Sequence, residues 1–245
     1  MVTPVTDSRR WYRPGKIRAV TFDFFETLVR HRAGHGRGRS LSEYLLTCGY
    51  MSPPQWSDEL LYRVFEIHAA DYSPGLSGPE RRSYLRRLAS RVFHELGMVS
   101  TTDESDRHAL ALWEILGPSA FDTYADVEST LQYLKGKGVA LAVISNWHCG
   151  LAHFVSDLGL MPYFDHVVGS ADYGFAKPDR RIFAKASNLL GVEPSQILHV
   201  GDSYEADYMG GRDAGFQVAL LDRTIATNVA GRVVRSLADV RALVE

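Results

Sequence analysis

The chain has 245 residues, of which 45% are hydrophobic and 23% are charged, the ordinary balance of a globular protein. A net charge of −2 offers no basic excess for nucleic acid, and two cysteines far apart in sequence make no disulfide framework. No apolar run approaches the roughly 20 residues that cross a bilayer, and the N-terminus has no apolar signal-peptide core. We therefore expect a cytoplasmic monomer or homodimer without nucleic-acid or membrane partners.

The first predicted strand lies near the N-terminus and ends in an acid. Residues 1–15 are polar and predict a flexible lead-in, and the β-rich apolar run 17–22 then ends at Asp23. Because ligands of open α/β sheets bind at the carboxyl ends of strands, Asp23 is a candidate functional residue. In 30–39, Gly alternates with Arg and His, which predicts a mobile loop. A sharper hypothesis is that one or two of its arginines bind a substrate carboxylate or a second phosphate.

An all-helical block follows this strand. Apolar residues recur at helical spacing through 57–70, 79–96 and 103–116, and a Ser-x-x-Glu capping box at Ser40 begins a shorter helix. No convincing strand is visible between residues 30 and 118. The pattern therefore predicts a helical insertion directly after the first strand.

From Phe121 onward, short helices alternate with short apolar strands. Helices are predicted at 127–135, 151–158, 181–190 and 206–214, and strands at 139–144, 166–169, 197–200 and 217–221. Such alternation predicts a parallel sheet covered by helices on both faces.

Polar residues stand where the predicted strands end or in the loops that follow them. They are Asp23, Ser145 with Asn146, Lys177, and Asp202 with Asp207 one helical turn further on. Since the carboxyl ends of parallel strands meet at one edge of the sheet, these side chains should share one crevice.

This set of groups suits phosphoryl transfer. A carboxylate such as Asp23 can attack phosphorus and form an aspartyl phosphate. The transferring group carries spread negative charge, which the Ser145 hydroxyl and the Lys177 ammonium can stabilise. Mg²⁺ binds few carboxylates and keeps water and substrate oxygens, so Asp23 and Asp202 would suffice to anchor it.

Four motifs in this order resemble the haloacid dehalogenase-like (HAD) hydrolase superfamily: FDFFETL (22–28), ISN (144–146), AKPD (176–179) and GDSYEAD (201–207). The resemblance implies an α/β fold with a Rossmann-like parallel sheet core formed by 16–30 and 122–245. It also implies that 31–121 is the helical cap of the subgroup with an early cap (C1-type), which closes over the site.

The resemblance also assigns roles to single residues. Asp23 would be the nucleophile, and Ser145 and Lys177 would hold the phosphoryl group. Asn146 and Thr27 would add substrate contacts. The metal ligands would be Asp23, Asp202 and the backbone carbonyl of Phe25. Asp207 would bind the ion or orient the groups that do.

One position departs from the family pattern. Phosphatases of the family carry a second Asp two residues after the nucleophile, which protonates the leaving oxygen and later activates water, and here that residue is Phe25. General acid–base help is worth roughly 10²–10⁴ in rate. We therefore expect a slow Mg²⁺-dependent phosphatase of a small phosphorylated metabolite, unless Glu26, His31, His148 or a cap residue substitutes.

Two alternatives remain open. The 2-haloacid dehalogenases that the chain resembles carry an aromatic residue at the position of Phe25 and use no metal. They lack the metal ligand that Asp202 provides and have Tyr where this chain has Phe183, so this interpretation ranks second. The third is a non-catalytic relative that binds a phosphorylated ligand or a partner protein.

Overall fold

The computed structural model describes residues 16–32, 120–147, 150–224 and 231–244, and nine residues between 83 and 111. These nine are all helical, in agreement with the helices predicted at 79–96 and 103–116. The lead-in 1–15 and the predicted cap helices before residue 83 lie outside the described residues. Within the described part of the chain, no helix is long and apolar enough to cross a bilayer.

Six strands form one parallel sheet in the order β5-β4-β1-β6-β7-β8, and a separate antiparallel pair joins β2 and β3. The strands are β1 (Ala19–Phe22), β2 (Val29–His31), β3 (Phe121–Thr123), β4 (Ala140–Ser145), β5 (His166–Gly169), β6 (Ile197–Gly201), β7 (Gln217–Leu221) and β8 (Val233–Val234). The predicted parallel α/β sheet is confirmed. The strand order reverses beside β1, which makes its carboxyl end the expected place for a ligand.

The helices cover both faces of this sheet. They are α1 (Val127–Gly136), α2 (Leu151–Asp157), α3 (Ser170–Tyr173), α4 (Arg180–Leu190) and α5 (Gly210–Asp213), with 3₁₀ turns at Met161–Tyr163, Pro194–Gln196 and Leu237–Leu243. The helix predicted at 206–214 is instead a π-helical turn, Tyr204–Met209, followed by α5. The turn is wide because the Ser203 carbonyl accepts from the amides of both Asp207 and Tyr208.

The core has an apolar layer on each side of the sheet. On one side, Val20 and Phe22 of β1 and Leu131 of α1 belong to the same buried cluster. On the other side, Ala19 of β1 belongs to a cluster with Ile182 of α4. All four residues of β1 are fully buried, as expected for a strand covered on both faces.

The β2–β3 pair corrects the sequence interpretation. Arg30 and His31 were expected in a loop, but His31 pairs with Phe121 and Val29 with Thr123. The predicted core–cap boundaries, 30/31 and 121/122, therefore fall inside this two-stranded ribbon. Arg32 lies next to it, and its guanidinium contacts the Asp122 carboxylate. The division of the chain into core and cap stays a prediction.

Candidate active site

Asp23 lies at the carboxyl end of β1, and two donors share one of its oxygens. The Asp23 amide donates to the Val200 carbonyl of β6 at 2.9 Å, which fixes the backbone beside the switch point. The Ser145 hydroxyl donates to Oδ1 of Asp23 at 3.0 Å, and Nζ of Lys177 donates to the same oxygen at 2.5 Å. The three residues predicted to carry the chemistry therefore meet, and all three are buried.

Lys177 lies between two carboxylates. Its Nζ also donates to Oδ1 of Asp207 at 2.5 Å, and its side chain is only 2% exposed. Burial disfavours the ammonium, but Asp207 and Asp23 outweigh it and raise the pKa of Lys177 above its ordinary value. Lys177 is therefore a fixed positive charge at the nucleophile.

Asn146 holds the backbone of Lys177. Its amide nitrogen donates to the Lys177 carbonyl at 2.9 Å, and its amide oxygen accepts from the Lys177 amide at 2.7 Å. Gly210 supports the same loop, because a Cβ there would lie 2.9 Å from the Cα of Pro178. Asn146 was predicted to contact substrate. The structure shows it positioning Lys177, and the substrate contact stays a prediction.

Asp207 is buried with donors on both of its oxygens. Oδ1 accepts from Lys177 and contacts Nε2 of His199 at 3.1 Å, and Oδ2 accepts from the Ser203 amide at 3.0 Å. Burial opposes the charge, but Lys177 and His199 hold the pKa of the Asp207 carboxyl well below its usual range. The approach is close: a Cβ on Gly201 would lie 2.2 Å from the carboxylate carbon of Asp207.

Asp202 is the exposed member of a group of three carboxylates. One oxygen each of Asp23, Asp202 and Asp207 lie within 4.8 Å of one another. Although its outer edge is exposed, the surrounding protein and the charges of Asp23 and Asp207 raise the pKa of Asp202 to about 7. Thr27, predicted to contact substrate, is buried and donates to Oδ1 of Asp202 at 3.4 Å, so the structure places it behind this carboxylate.

Burial also acts on the nucleophile. It raises the pKa of the Asp23 carboxyl above its ordinary value, and the neighbouring Asp207 charge acts in the same direction, whereas Lys177 opposes both. Two carboxyls, Asp23 and Asp202, thus have raised pKa values, first because of burial and second because of neighbouring carboxylate charges, and Lys177 only partly offsets both effects. Such a site favours an additional cation.

The chain is similar to known proteins over most of its length. The family model of haloacid dehalogenase-like hydrolases matches residues 17–215. The chain belongs to this hydrolase family. A haloacid dehalogenase-like hydrolase domain-containing protein 3 from Bos taurus is 34% identical over 208 residues, 84% of this chain and 82% of the relative. A glyceraldehyde 3-phosphate phosphatase from Methanopyrus kandleri is 34% identical over 213 residues, 84% of each chain.

Solved structures agree on the fold of the hydrolase. The crystal structure of a 2-haloacid dehalogenase from Pseudomonas syringae superposes with a TM-score of 0.65 at 23% identity, over 93% of this chain and 97% of that one. At this identity the likeness concerns the fold alone. The choice between phosphorus and carbon as the attacked atom must therefore come from the site itself.

Phe25 stands where the family phosphatases have their second Asp, and its ring packs on the β2–β3 ribbon. Its ring centroid lies 5.1 Å from that of His31 and 6.1 Å from that of Phe121, and His31 stacks on Phe121 at 4.6 Å. Whether the Phe25 carbonyl binds metal stays a prediction. His31, a candidate replacement for the acid, is part of this aromatic cluster, and His148, another candidate, lies outside the described residues.

Glu26, the third candidate acid, is bound elsewhere. Its backbone adopts φ +60°, a left-handed conformation that is uncommon for residues other than Gly. Its Oε2 accepts from the Tyr124 hydroxyl at 2.6 Å. Burial and Glu26 together raise the pKa of Tyr124 to about 12. The Glu26 carboxylate is therefore hydrogen-bonded to Tyr124, the residue after β3, and is not placed to protonate a leaving group.

Sequence reasoning missed two residues that support the site. Arg223 donates to the Thr27 carbonyl at 3.0 Å and pairs with both carboxylate oxygens of Asp126, while its guanidinium lies 3.8 Å from the centre of the Tyr124 ring. It thereby fastens the loop after Asp23 to the start of α1. The second is His199. Its signal in the sequence is a polar residue inside the otherwise apolar strand β6.

Proposed function

We propose that this chain is a Mg²⁺-dependent phosphatase of a small phosphorylated metabolite, acting through an aspartyl phosphate on Asp23. One observation carries the proposal: Ser145 and Lys177 both donate to Oδ1 of Asp23, and neither donates to Oδ2. These two donors thus fix one oxygen of the carboxylate, and Oδ2, which neither of them contacts, is the oxygen that would attack. The relative named glyceraldehyde 3-phosphate phosphatase supports a small phosphate ester as the substrate class.

The site fits a hard divalent cation. Three carboxylates lie close together there, and Lys177 donates to Asp23 and Asp207 but not to Asp202. Burial, together with the charges of Asp23 and Asp207, raises the pKa of Asp202. Asp23 and Asp202 would hold Mg²⁺, with the Phe25 carbonyl as a further predicted ligand. When bound, the ion would screen the repulsion between the Asp23 carboxylate and an anionic substrate. Asp207, whose oxygens already have donors, would act mainly by orienting Lys177.

The proposed reaction has two steps, and Asp23 takes part in both. Oδ2 of Asp23 attacks phosphorus, and the ester P–O bond breaks with its electron pair leaving on the substrate oxygen, which takes a proton from water. Ser145 and Lys177 donate to the phosphoryl oxygens as charge develops on them. Water then attacks the phosphorus of the aspartyl phosphate, releasing inorganic phosphate and regenerating the Asp23 carboxylate. Phe25 can neither protonate the leaving oxygen nor activate that water.

The test is phosphate release from p-nitrophenyl phosphate by the full chain with Mg²⁺. We expect Asp23→Asn to lower the rate by roughly 10³-fold or more. Asp213→Asn is the matched control, because Asp213 is an exposed acid paired with Arg212 at the surface. We also expect the wild-type chain, quenched in acid during turnover, to carry one phosphoryl group on Asp23 by mass spectrometry. Full activity in Asp23→Asn would refute the proposal.

One observation favours a second candidate, a 2-haloacid dehalogenase-like hydrolase. The side chain at position 25 is aromatic, as in the dehalogenases, and its ring packs against the rings of Phe121 and His31. The opposing observation is the carboxylate cluster around Asp202. Halide release from 2-chloropropionate in the presence of EDTA, without phosphatase activity, would select this candidate. If neither activity is found, the non-catalytic interpretation gains support.

A further inference from the structure

A continuous line of buried polar groups runs from the centre of the sheet to the nucleophile. Oγ1 of Thr21 contacts Nδ1 of His199 at 2.9 Å, and Nε2 of His199 contacts Oδ1 of Asp207 at 3.1 Å. Lys177 then bridges Asp207 and Asp23 at 2.5 Å each. Thr21 and His199 are fully buried, and the other three are at most 7% exposed. Burying so many polar groups is costly unless each is paired, and here each has a partner.

The partners of His199 determine which ring nitrogen carries hydrogen. Lys177 donates to Oδ1 of Asp207 and the Ser203 amide donates to Oδ2, so both carboxylate oxygens act as acceptors, and Nε2 of His199 is the donor in its contact with Oδ1. Nδ1 can then accept from the hydroxyl of Thr21, its register partner on the neighbouring strand. Hydrogen on Nε2 is thus the feature of the ring that the contact with Asp207 requires. The edge-on ring of Phe183, 5.2 Å from the imidazole centroid, packs against the ring in this orientation.

His199 and Lys177 act on the same oxygen of Asp207. The other oxygen is taken by the Ser203 amide, so the two contacts to His199 and Ser203 fix the plane of the carboxylate from behind. Lys177 has carboxylates at equal distances on two sides, and a change in either one would move its ammonium. The location of Nζ relative to Asp23 therefore depends on how firmly Asp207 is held.

We propose that His199 is a positioning residue for Lys177, acting through Asp207. By donating to Oδ1 it keeps the Asp207 carboxylate turned toward Lys177. Lys177 is then held where it donates both to Asp23 and to the phosphoryl group. This inference rests on the proposed function, since phosphoryl transfer is the step that needs the ammonium there. The competing interpretation is that His199 only fills the core of β6.

Two amide variants of equal polarity separate these interpretations. The side-chain nitrogen of Gln in His199→Gln reaches the position of Nε2 and can donate to Asp207, whereas that of Asn in His199→Asn reaches only the position of Nδ1. We expect kcat for p-nitrophenyl phosphate to fall roughly 10–100-fold in His199→Asn, with a smaller change in KM, and to recover to within about 3-fold of wild type in His199→Gln. Thermal unfolding of both variants checks that each is folded at the assay temperature.

Nitrogen NMR of the imidazole ring tests the same contact without substrate. We expect the wild-type spectrum to show hydrogen on Nε2 of His199, and the Nε2 signal to shift in Asp207→Asn. Equal kcat in the Asn and Gln variants, or a ring protonated on Nδ1 alone, would overturn the positioning role. If no phosphatase activity is found at all, the proposed function fails, and the spectra still decide whether His199 holds Asp207.

Discussion

Replacing Lys177 by Met should destabilise the protein more than any exposed lysine substitution. The ammonium is 2% exposed and lies 2.5 Å from a carboxylate oxygen of both Asp23 and Asp207, whose side chains are 10% and 2% exposed. Met keeps the apolar stem but leaves two negative charges buried beside each other. Removing one partner of a buried ion pair costs about 3–5 kcal/mol, and we expect a loss in this range near neutral pH.

The pH dependence distinguishes this cause from lost packing. In the wild type, Lys177 helps to lower the pKa of Asp207, which adds stability that is present above pH 3.8 and lost as pH falls toward the lowered pKa. Without Lys177 the pKa values of Asp207 and Asp23 rise, so acid neutralises the unpaired charges. The stability difference between wild type and variant should therefore shrink from about pH 7.5 to about pH 5.

Denaturant-induced unfolding at the two pH values measures this difference. Lys135→Met is the matched control, because Lys135 pairs with Asp165 at 3.1 Å on the surface, where such a pair is worth about 0–1 kcal/mol. A Lys177→Met chain no less stable than the control, or a difference that does not change with pH, would show that Lys177 does not carry the charge balance described above.

Three further perturbations test other parts of the site. Glu26→Gln should lower the pKa of the Tyr124 phenol from about 12, because the Glu26 charge is lost, but only part of the way toward 10, because the phenol stays buried. Ultraviolet titration measures this pKa, and an unchanged value would contradict the contact. Because Asp202 has a pKa of about 7, protons should compete with Mg²⁺ for its carboxylate. Calorimetry should therefore show the affinity for Mg²⁺ falling as the pH drops below about 7, and an affinity that does not change with pH would contradict the role of Asp202 as a ligand. Gly201→Ala should cost about 1–3 kcal/mol and most of the activity, because its Cβ would meet Asp207 at 2.2 Å; native stability and kcat would contradict this.

Much of the sheet could be predicted because its strands are local patterns. Five of the six strands of the parallel sheet are short apolar runs between helical segments, and the structure places them where the sequence did. The strands that were missed carry little local signal. β8 has two residues, β2 is Val-Arg-His and β3 is Phe-Asp-Thr. β2 and β3 pair with each other, although the predicted cap separates them in sequence. Contacts between segments so distant in sequence leave no periodicity to detect.

The site was predictable in its members but not in their partners. Strand ends in a parallel sheet converge, so the meeting of Asp23, Ser145 and Lys177 followed from topology. That Asn146 would hold the Lys177 backbone, or that His199 would face Asp207, depends on side-chain directions and on the register of β6 against β1. Neither is set by the residues next to them in sequence.

The absence of an acid at position 25 leads to a prediction about leaving groups. Phe25 packs on the β2–β3 ribbon, and the Glu26 carboxylate accepts from Tyr124. Neither of these two side chains is therefore placed to protonate the leaving oxygen. An alkoxide needs a proton to leave, whereas p-nitrophenolate does not. Hydrolysis of an alkyl phosphate should therefore be far slower than that of p-nitrophenyl phosphate.

Phe25→Asp should reduce that gap. The new carboxyl would lie beside apolar rings, which raise the pKa of a carboxyl and suit it to donate a proton. We expect the rate for an alkyl phosphate to rise by up to roughly 10²–10⁴-fold, while the rate for p-nitrophenyl phosphate changes by less than about 10-fold. Comparing kcat/KM for the two esters in both proteins measures the effect. If the alkyl rate stays flat or falls, a residue of the predicted cap or His148 already supplies the proton, and Phe25 is then a specificity element rather than a defect.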